Sequence, residues 1–218
     1  MLAFRVIARL DVKGPHLIKG INFEGLRKLG DPADFARRYA EEGADEILYL
    51  DTVASLYGRG NLLTIVERTA DRVFIPITVG GGVRTLNDIR QLLRAGADKV
   101  AINTAALKEP DFIRRASDTV GSQAIVISIE AKRVNGGWEA YTDAGRCPTG
   151  RDARTWAQEA AKLGACEILI TSVDRDGTRK GTDLELAATI KLPIPVVLAG
   201  GIATGKHAVA ASQHGDAV

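Results

Sequence analysis

Cysteine, histidine and aromatic residues are all scarce in this chain. Its two cysteines, Cys147 and Cys166, have no metal-type spacing. Cys166 lies in an apolar run and is expected to be a reduced core residue. The three histidines, His16, His207 and His214, share no ligand spacing, so metal catalysis has no support and neither a metal nor another cofactor is expected. Thr171 and Ser172 have no histidine placed to complete a Ser-His-Asp triad. No apolar run reaches the length of a membrane span, and Met1-Leu2-Ala3-Phe4-Arg5 leads straight into a strand rather than a signal peptide. An excess of charge of one sign is missing too: 29 basic against 27 acidic side chains leave +2, which gives no footprint for nucleic acid or an anionic membrane. The expectation is a soluble cytoplasmic protein, with 45% hydrophobic residues available for a substantial core.

What the chain does have is a repeat. Ile75-Pro76-Ile77-Thr78-Val79-Gly80-Gly81-Gly82-Val83-Arg84-Thr85 returns about 119 residues later as Ile194-Pro195-Val196-Val197-Leu198-Ala199-Gly200-Gly201-Ile202-Ala203-Thr204. Gly43-Ala44-Asp45-Glu46-Ile47-Leu48 returns as Gly164-Ala165-Cys166-Glu167-Ile168-Leu169, and Leu10-Asp11-Val12-Lys13 as Ile129-Glu130-Ala131-Lys132. Short runs rich in Ile, Val and Leu predict strands over 5–10, 46–51, 75–79, 99–103, 124–130, 167–172 and 194–199, in the style of parallel strands buried on both faces. Helix starts alternate with them: Asp31-Pro32-Ala33-Asp34 combines an N-cap, a first-position proline and an early acid, and Thr85-Leu86-Asn87-Asp88 does the same work without the proline. Four βα units per repeat make eight in all, which predicts a single α/β domain over 1–218, a (β/α)8 TIM barrel with half-barrels at about 1–122 and 123–218. A doubly wound open sheet is the alternative, but it has no reason to repeat after four units, and no Gly-x-Gly-x-x-Gly follows the first strand. Residues 13–31 read as a long loop, and Arg133 to Tyr141 as a hairpin turning at Asn135-Gly136. By the repeat, Gly215-Asp216-Ala217-Val218 matches the start of strand four, so the barrel is expected to be truncated within strand eight, with open edges on strands one and seven.

Active sites of such barrels lie at the C-terminal strand ends. Asp11 closes strand one and Glu130 closes strand five, facing each other across the mouth, an arrangement suited to general acid–base work. Simple pairing with Lys13, Lys132 or Lys19 would explain either acid alone; their duplication favours function. Gly80-Gly81-Gly82 and Gly200-Gly201 let the backbone approach an anion, with Asn103-Thr104 and Asp176-Gly177 beside them, so each half carries a phosphate-type loop. Tight turning alone is the other reading of those glycines.

These motifs resemble the cyclase subunit family of imidazole glycerol phosphate synthase, through Gly30-Asp31-Pro32, Thr78 to Arg84, Ala97-Asp98-Lys99-Val100, Asn103-Thr104-Ala105 and Thr171 to Thr178 as well as the repeat. The resemblance implies a lyase of histidine biosynthesis. Ammonia from a glutaminase partner, bound at the N-terminal face of the barrel, would pass through it to a bisphosphorylated ribulosyl-carboxamide nucleotide, giving imidazole glycerol phosphate and aminoimidazole carboxamide ribotide. It further implies proton transfer by Asp11 and Glu130 and substrate binding at Lys19, Gly81, Gly82, Asn103, Thr104, Thr171, Asp176, Gly177, Gly200 and Gly201. Arg5, Glu46, Lys99 and Glu167, at N-terminal strand ends, match an ammonia gate; a stability network is the competing reading. Three departures stand out. Glu130 replaces the family's Asp, Arg9 its Cys and Ala199 its Ser. With Ala54-Ser55-Leu56-Tyr57-Gly58-Arg59 they are similar to a paralogous branch that delivers ammonia for sugar amidation in surface-polysaccharide synthesis. A non-catalytic glutaminase-binding scaffold is the third reading.

Overall fold

The computed structural model describes residues 4–52 and 62–218; the Ala54 to Arg59 stretch lies outside them. Barrel strands β1 (Ile7–Lys13), β4 (Glu46–Asp51), β5 (Ile77–Gly80), β6 (Lys99–Ile102), β7 (Ile125–Val134), β10 (Glu167–Ser172) and β11 (Val196–Ala199) pair in parallel in that order. Beyond β11, Ala217 makes parallel bridges to both Val197 and Arg5, and Ile7 N–H donates to the Val218 carbonyl at 2.7 Å. The sheet therefore curls into a (β/α)8 barrel. The expected open edges are corrected at the N-terminal rim, where residues 216–218 sit between strands one and seven and satisfy their backbone groups.

Helices α1 (Pro32–Glu41), α2 (Leu62–Ala70), α3 (Leu86–Arg94), α4 (Thr104–Lys108), α5 (Asp111–Val120), α6 (Ala153–Lys162), α7 (Leu184–Thr189) and α8 (Gly205–Ala211) follow the strands. The Asp31 carboxylate accepts from the Ala33 and Asp34 N–H groups, and Thr85 with Asp88 forms a complete capping box. Helices bury apolar residues, such as Leu62, Ile65 and Val66 of α2, against the outer face of the sheet. Leu48, Ala101, Val126, Leu169, Val197 and Ala217 form a separate apolar cluster. Its members sit on six different barrel segments and fill the lumen.

Tyr49 ties the two layers together. It is fully buried, and its hydroxyl lies 3.1 Å from the Pro32 carbonyl and 2.9 Å from Thr69 Oγ1. Tyr49→Phe is expected to lower stability by about 1–3 kcal/mol, read as a fall in urea midpoint at unchanged slope, because it strips a partner from buried polar groups.

The structure corrects three local expectations. Residues 13–31 form a hairpin rather than a loop: β2 (His16–Ile21) pairs antiparallel with β1 and with β3 (Glu24–Gly30). Its turn uses Asn22 and Phe23 at φ of 51° and 61°, in place of a recognisable Gly turn. The second hairpin, β7 with β8 (Gly137–Thr142), gains a third strand, β9 (Cys147–Asp152). Pro148 and Gly150 disguise β9, which pairs only with β8, as an edge strand containing proline should. Cys166 stands just before β10 and is partly exposed, its thiol 3.4 Å from the Gln123 carbonyl, because the strand begins at Glu167.

Candidate active site

Alternation along β1 turns Ile7, Arg9 and Asp11 to one face, and along β7 it does the same for Val126, Ser128 and Glu130. Strand order counts four steps from β1 through β4, β5 and β6 to β7, so Asp11 and Glu130 rise from opposite sides of the eightfold circle. Asp11 is buried between two cations. Arg9 Nε donates to its Oδ1 at 2.9 Å, and Lys19 Nζ lies 3.8 Å from its Oδ2 and 3.9 Å from Asp176 Oδ1. Lys19 reaches this position because β2 folds back along β1.

Glu130 has a different environment. Burial pushes its carboxyl up to about 7, against the opposing pull of the Gly145 N–H at 2.8 Å, of Arg9 and of Asn103. Asp143 adds to the upward shift. One acid is flanked by cations and the other keeps its proton near neutrality, which equips the pair for opposite directions of proton transfer.

A cavity of about 450 Å³ opens beside Glu130, walled by Arg9, Gly82, Asn103, Thr104 and Ser128 among others. Gly81 also lines it, at φ 103°, where an added Cβ would collide with the Asp51 backbone. Thr52 Oγ1 and Asn103 Oδ1 are buried at this wall without a protein partner among the described residues, which suits a polar ligand. The first glycine loop, with Asn103 and Thr104, thus faces the cavity as the sequence suggests.

The second does not. Thr171, Asp176, Gly177, Gly200 and Gly201 stand outside this cavity. Gly181 N–H donates to the Gly201 carbonyl at 2.8 Å, and a Cβ on Gly201 would strike Gly181; one on Gly177 would strike the Gly20 carbonyl. Asn22 N–H also donates to the Asp176 carbonyl at 2.9 Å. The first hairpin therefore lies against Asp176 and Gly177, and Gly181 lies against Gly201. Phe23, Ala144 and Val173, from three different connections, form a small buried cluster there. Sequence reading missed Phe23, Ser128, Asp143 and Gly145. Only Ser128 carried a local signal, lying two residues before Glu130 on the same strand face.

At the other end of the barrel, four charges close a ring. Arg5 pairs with Glu46 at 2.9 Å and with Glu167, and Lys99 Nζ lies 3.2 Å from both acids. Thr78 donates to Glu46 as well. The acids are buried and the cations partly exposed, so each carboxylate has its counter-charges in place. Between the ring and the carboxyl pair lies the apolar lumen cluster. Among the described residues, no group of three or more His, Cys, Asp or Glu side chains gathers as metal ligands, and no helix is long and apolar enough to cross a membrane.

The chain is 59% identical over 201 residues to the imidazole glycerol phosphate synthase subunit HisF of Legionella pneumophila, a match that covers 91% of this chain and 95% of the relative. A profile of the family described as histidine biosynthesis protein matches residues 5–218, from the first residue of the charged ring through both carboxyls to the last residue of the chain. With that coverage, the chain belongs to the histidine biosynthesis protein family.

Proposed function

We propose that this chain is the ammonia-using cyclase subunit of an imidazole glycerol phosphate synthase. The observation that carries the reading is the axial arrangement: a closed charge ring at one end, an apolar lumen, and a carboxyl pair of unlike environment at the other. Ammonia released by a glutaminase at the N-terminal face enters through Arg5, Glu46, Lys99 and Glu167. An apolar lumen favours neutral ammonia over ammonium, whose charge would lose its hydration.

The bisphosphorylated ribulosyl-carboxamide nucleotide lies across the barrel mouth, one phosphate at Gly81, Gly82, Asn103 and Thr104. Ammonia adds to the ribulosyl ketone as Glu130 protonates its oxygen and Asp11 accepts a proton shed by nitrogen; a second proton, shed by nitrogen and taken up by the hydroxyl, completes loss of water and leaves an imine. Ring closure then expels aminoimidazole carboxamide ribotide as imidazole glycerol phosphate forms. Lys19 steadies Asp11 and Asp176 from the first hairpin. The test is turnover of the nucleotide with ammonium salts alone; no imidazole product from the isolated protein overturns the reading.

A second reading draws on the place of the second glycine loop outside the cavity. With Gly200, Gly201, Asp176 and Gly177 outside the cavity that the first loop lines, a substrate with a single phosphate fits as the acceptor, as in ammonia delivery for sugar amidation. Tight binding of the bisphosphate but not of singly phosphorylated sugars counts against it.

The partner face offers a separate check. Phe74, in the connection from α2 into the N-terminal end of β5, is 92% exposed. Phe74→Asp is expected to weaken glutaminase binding by at least about 10-fold in titration calorimetry, with ammonium-dependent turnover unchanged.

A further inference from the structure

We propose that Arg9 is a positioning residue: its guanidinium spans the lumen, fixes the Asp11 carboxylate and seats the first hairpin over the carboxyl pair. The inference deepens the function proposed above and rests on it only for the proton-transfer role of Asp11 and Glu130.

Arg9 arises from β1 yet its Nη1 donates to Thr171 Oγ1 on β10 at 3.1 Å. These strands are not neighbours; β11 and residues 216–218 stand between them. The side chain therefore crosses the barrel interior, above the apolar cluster and below the carboxyls. Small residues leave it room: Ala101 on β6, Ser128 on β7 and Ala199 on β11. Its Nε is committed to Asp11 and its Cζ lies over the Phe23 ring, 5.2 Å from the centroid. Three contacts from three segments fix one rigid plane, which a lysine ammonium cannot reproduce.

Charged groups surround it on every side. Asp11, Asp176 and Glu130 face the guanidinium, Lys19 approaches Asp11 and Asp176, and Asp143 approaches Glu130. Burial disfavours the guanidinium's charge, but these acids more than offset it. Ammonia arriving along the lumen meets this cation before it meets Asp11.

The test compares Arg9→Ala, Arg9→Lys and Thr171→Val with the full wild-type chain. Three readouts are taken: kcat and KM with ammonium, the Glu130 carboxyl titration by 13C NMR in substrate-free protein, and amide exchange over residues 17–24. Arg9→Ala is expected to raise the Glu130 midpoint, speed hairpin exchange by at least about 10-fold, and lower kcat about 100-fold at nearly constant KM. Arg9→Lys keeps the charge, so the midpoint stays near wild type while kcat still falls. A wild-type kcat in Arg9→Lys overturns the proposal, as do an unmoved Glu130 midpoint and unchanged hairpin exchange in Arg9→Ala. Should Arg9→Ala not fold, Thr171→Val removes one arm alone, and wild-type kcat in it together with Arg9→Lys overturns the proposal. Titration and exchange need no turnover, so their expected shifts in a protein without cyclase activity overturn the proposed function and leave the positioning role standing.

Discussion

Replacing Asp11 by Asn is expected to lower ammonia-dependent kcat by about 10²–10⁴-fold, with KM for the nucleotide little changed. Asn keeps an oxygen for Arg9 Nε, so the geometry at the end of β1 survives; what disappears is the ability to take a proton from the attacking nitrogen. Arg9 still faces Asp176 and Glu130 after the change, which keeps its charge compensated and the fold intact. Thermal denaturation beside steady-state rates separates lost chemistry from lost structure. Wild-type kcat in a folded Asp11→Asn variant means that another group is the base, and Glu130 would be the first to re-examine.

Glu130→Gln has two expected consequences of opposite sign. Its carboxyl ionises at about 7 in the folded chain against an ordinary value of 4.5. Below 4.5 both folded and unfolded chains hold the proton. Between the two values the unfolded chain loses it while the folded chain retains it, so stability falls with rising pH, and the loss is complete above 7. The shift sets an upper limit of about 3 kcal/mol, reduced by water on the cavity side of the group. Glu130→Gln removes this dependence: urea midpoints at about pH 5 and about pH 8 converge relative to wild type. The substitution relieves stability at high pH but costs activity. The wild-type rate, taken at constant free ammonia, is expected to decline as pH rises through about 7, as a general acid loses its proton. The Gln variant is expected to lose about 10²–10⁴-fold at every pH. A wild-type rate that instead climbs through this range would make Glu130 the base.

Much of the architecture was legible because it depends on short-range regularities. The Asp31-Pro32 and Thr85-to-Asp88 helix starts are local hydrogen-bonding patterns, and both caps form as the sequence indicates. Pairing of the ring followed from four charges at equivalent strand starts, two acids and two cations converging on one end of the barrel. The hairpin at 16–30 was less legible. Its strands are marked by glycine and charge rather than alternation, and its turn depends on Asn22 and Phe23 in left-handed conformations that nothing nearby announces.

The duplicated sequence alone determined the barrel, the opposition of Asp11 to Glu130 and the four-charge ring, since a repeat of βα units dictates strand order and strand order dictates which ends face each other. Tertiary structure decided what breaks that symmetry. Only the first glycine loop lines the cavity beside Glu130; in the other half Gly201 packs on Gly181 and Gly177 on the first hairpin. Glu130 is lifted toward neutrality, because enclosure by distant segments, not its neighbours in sequence, sets its solvation. Arg9 crosses the lumen to Thr171 because its reach and the small side chains opposite allow it, a property of packed volume that residue spacing does not encode.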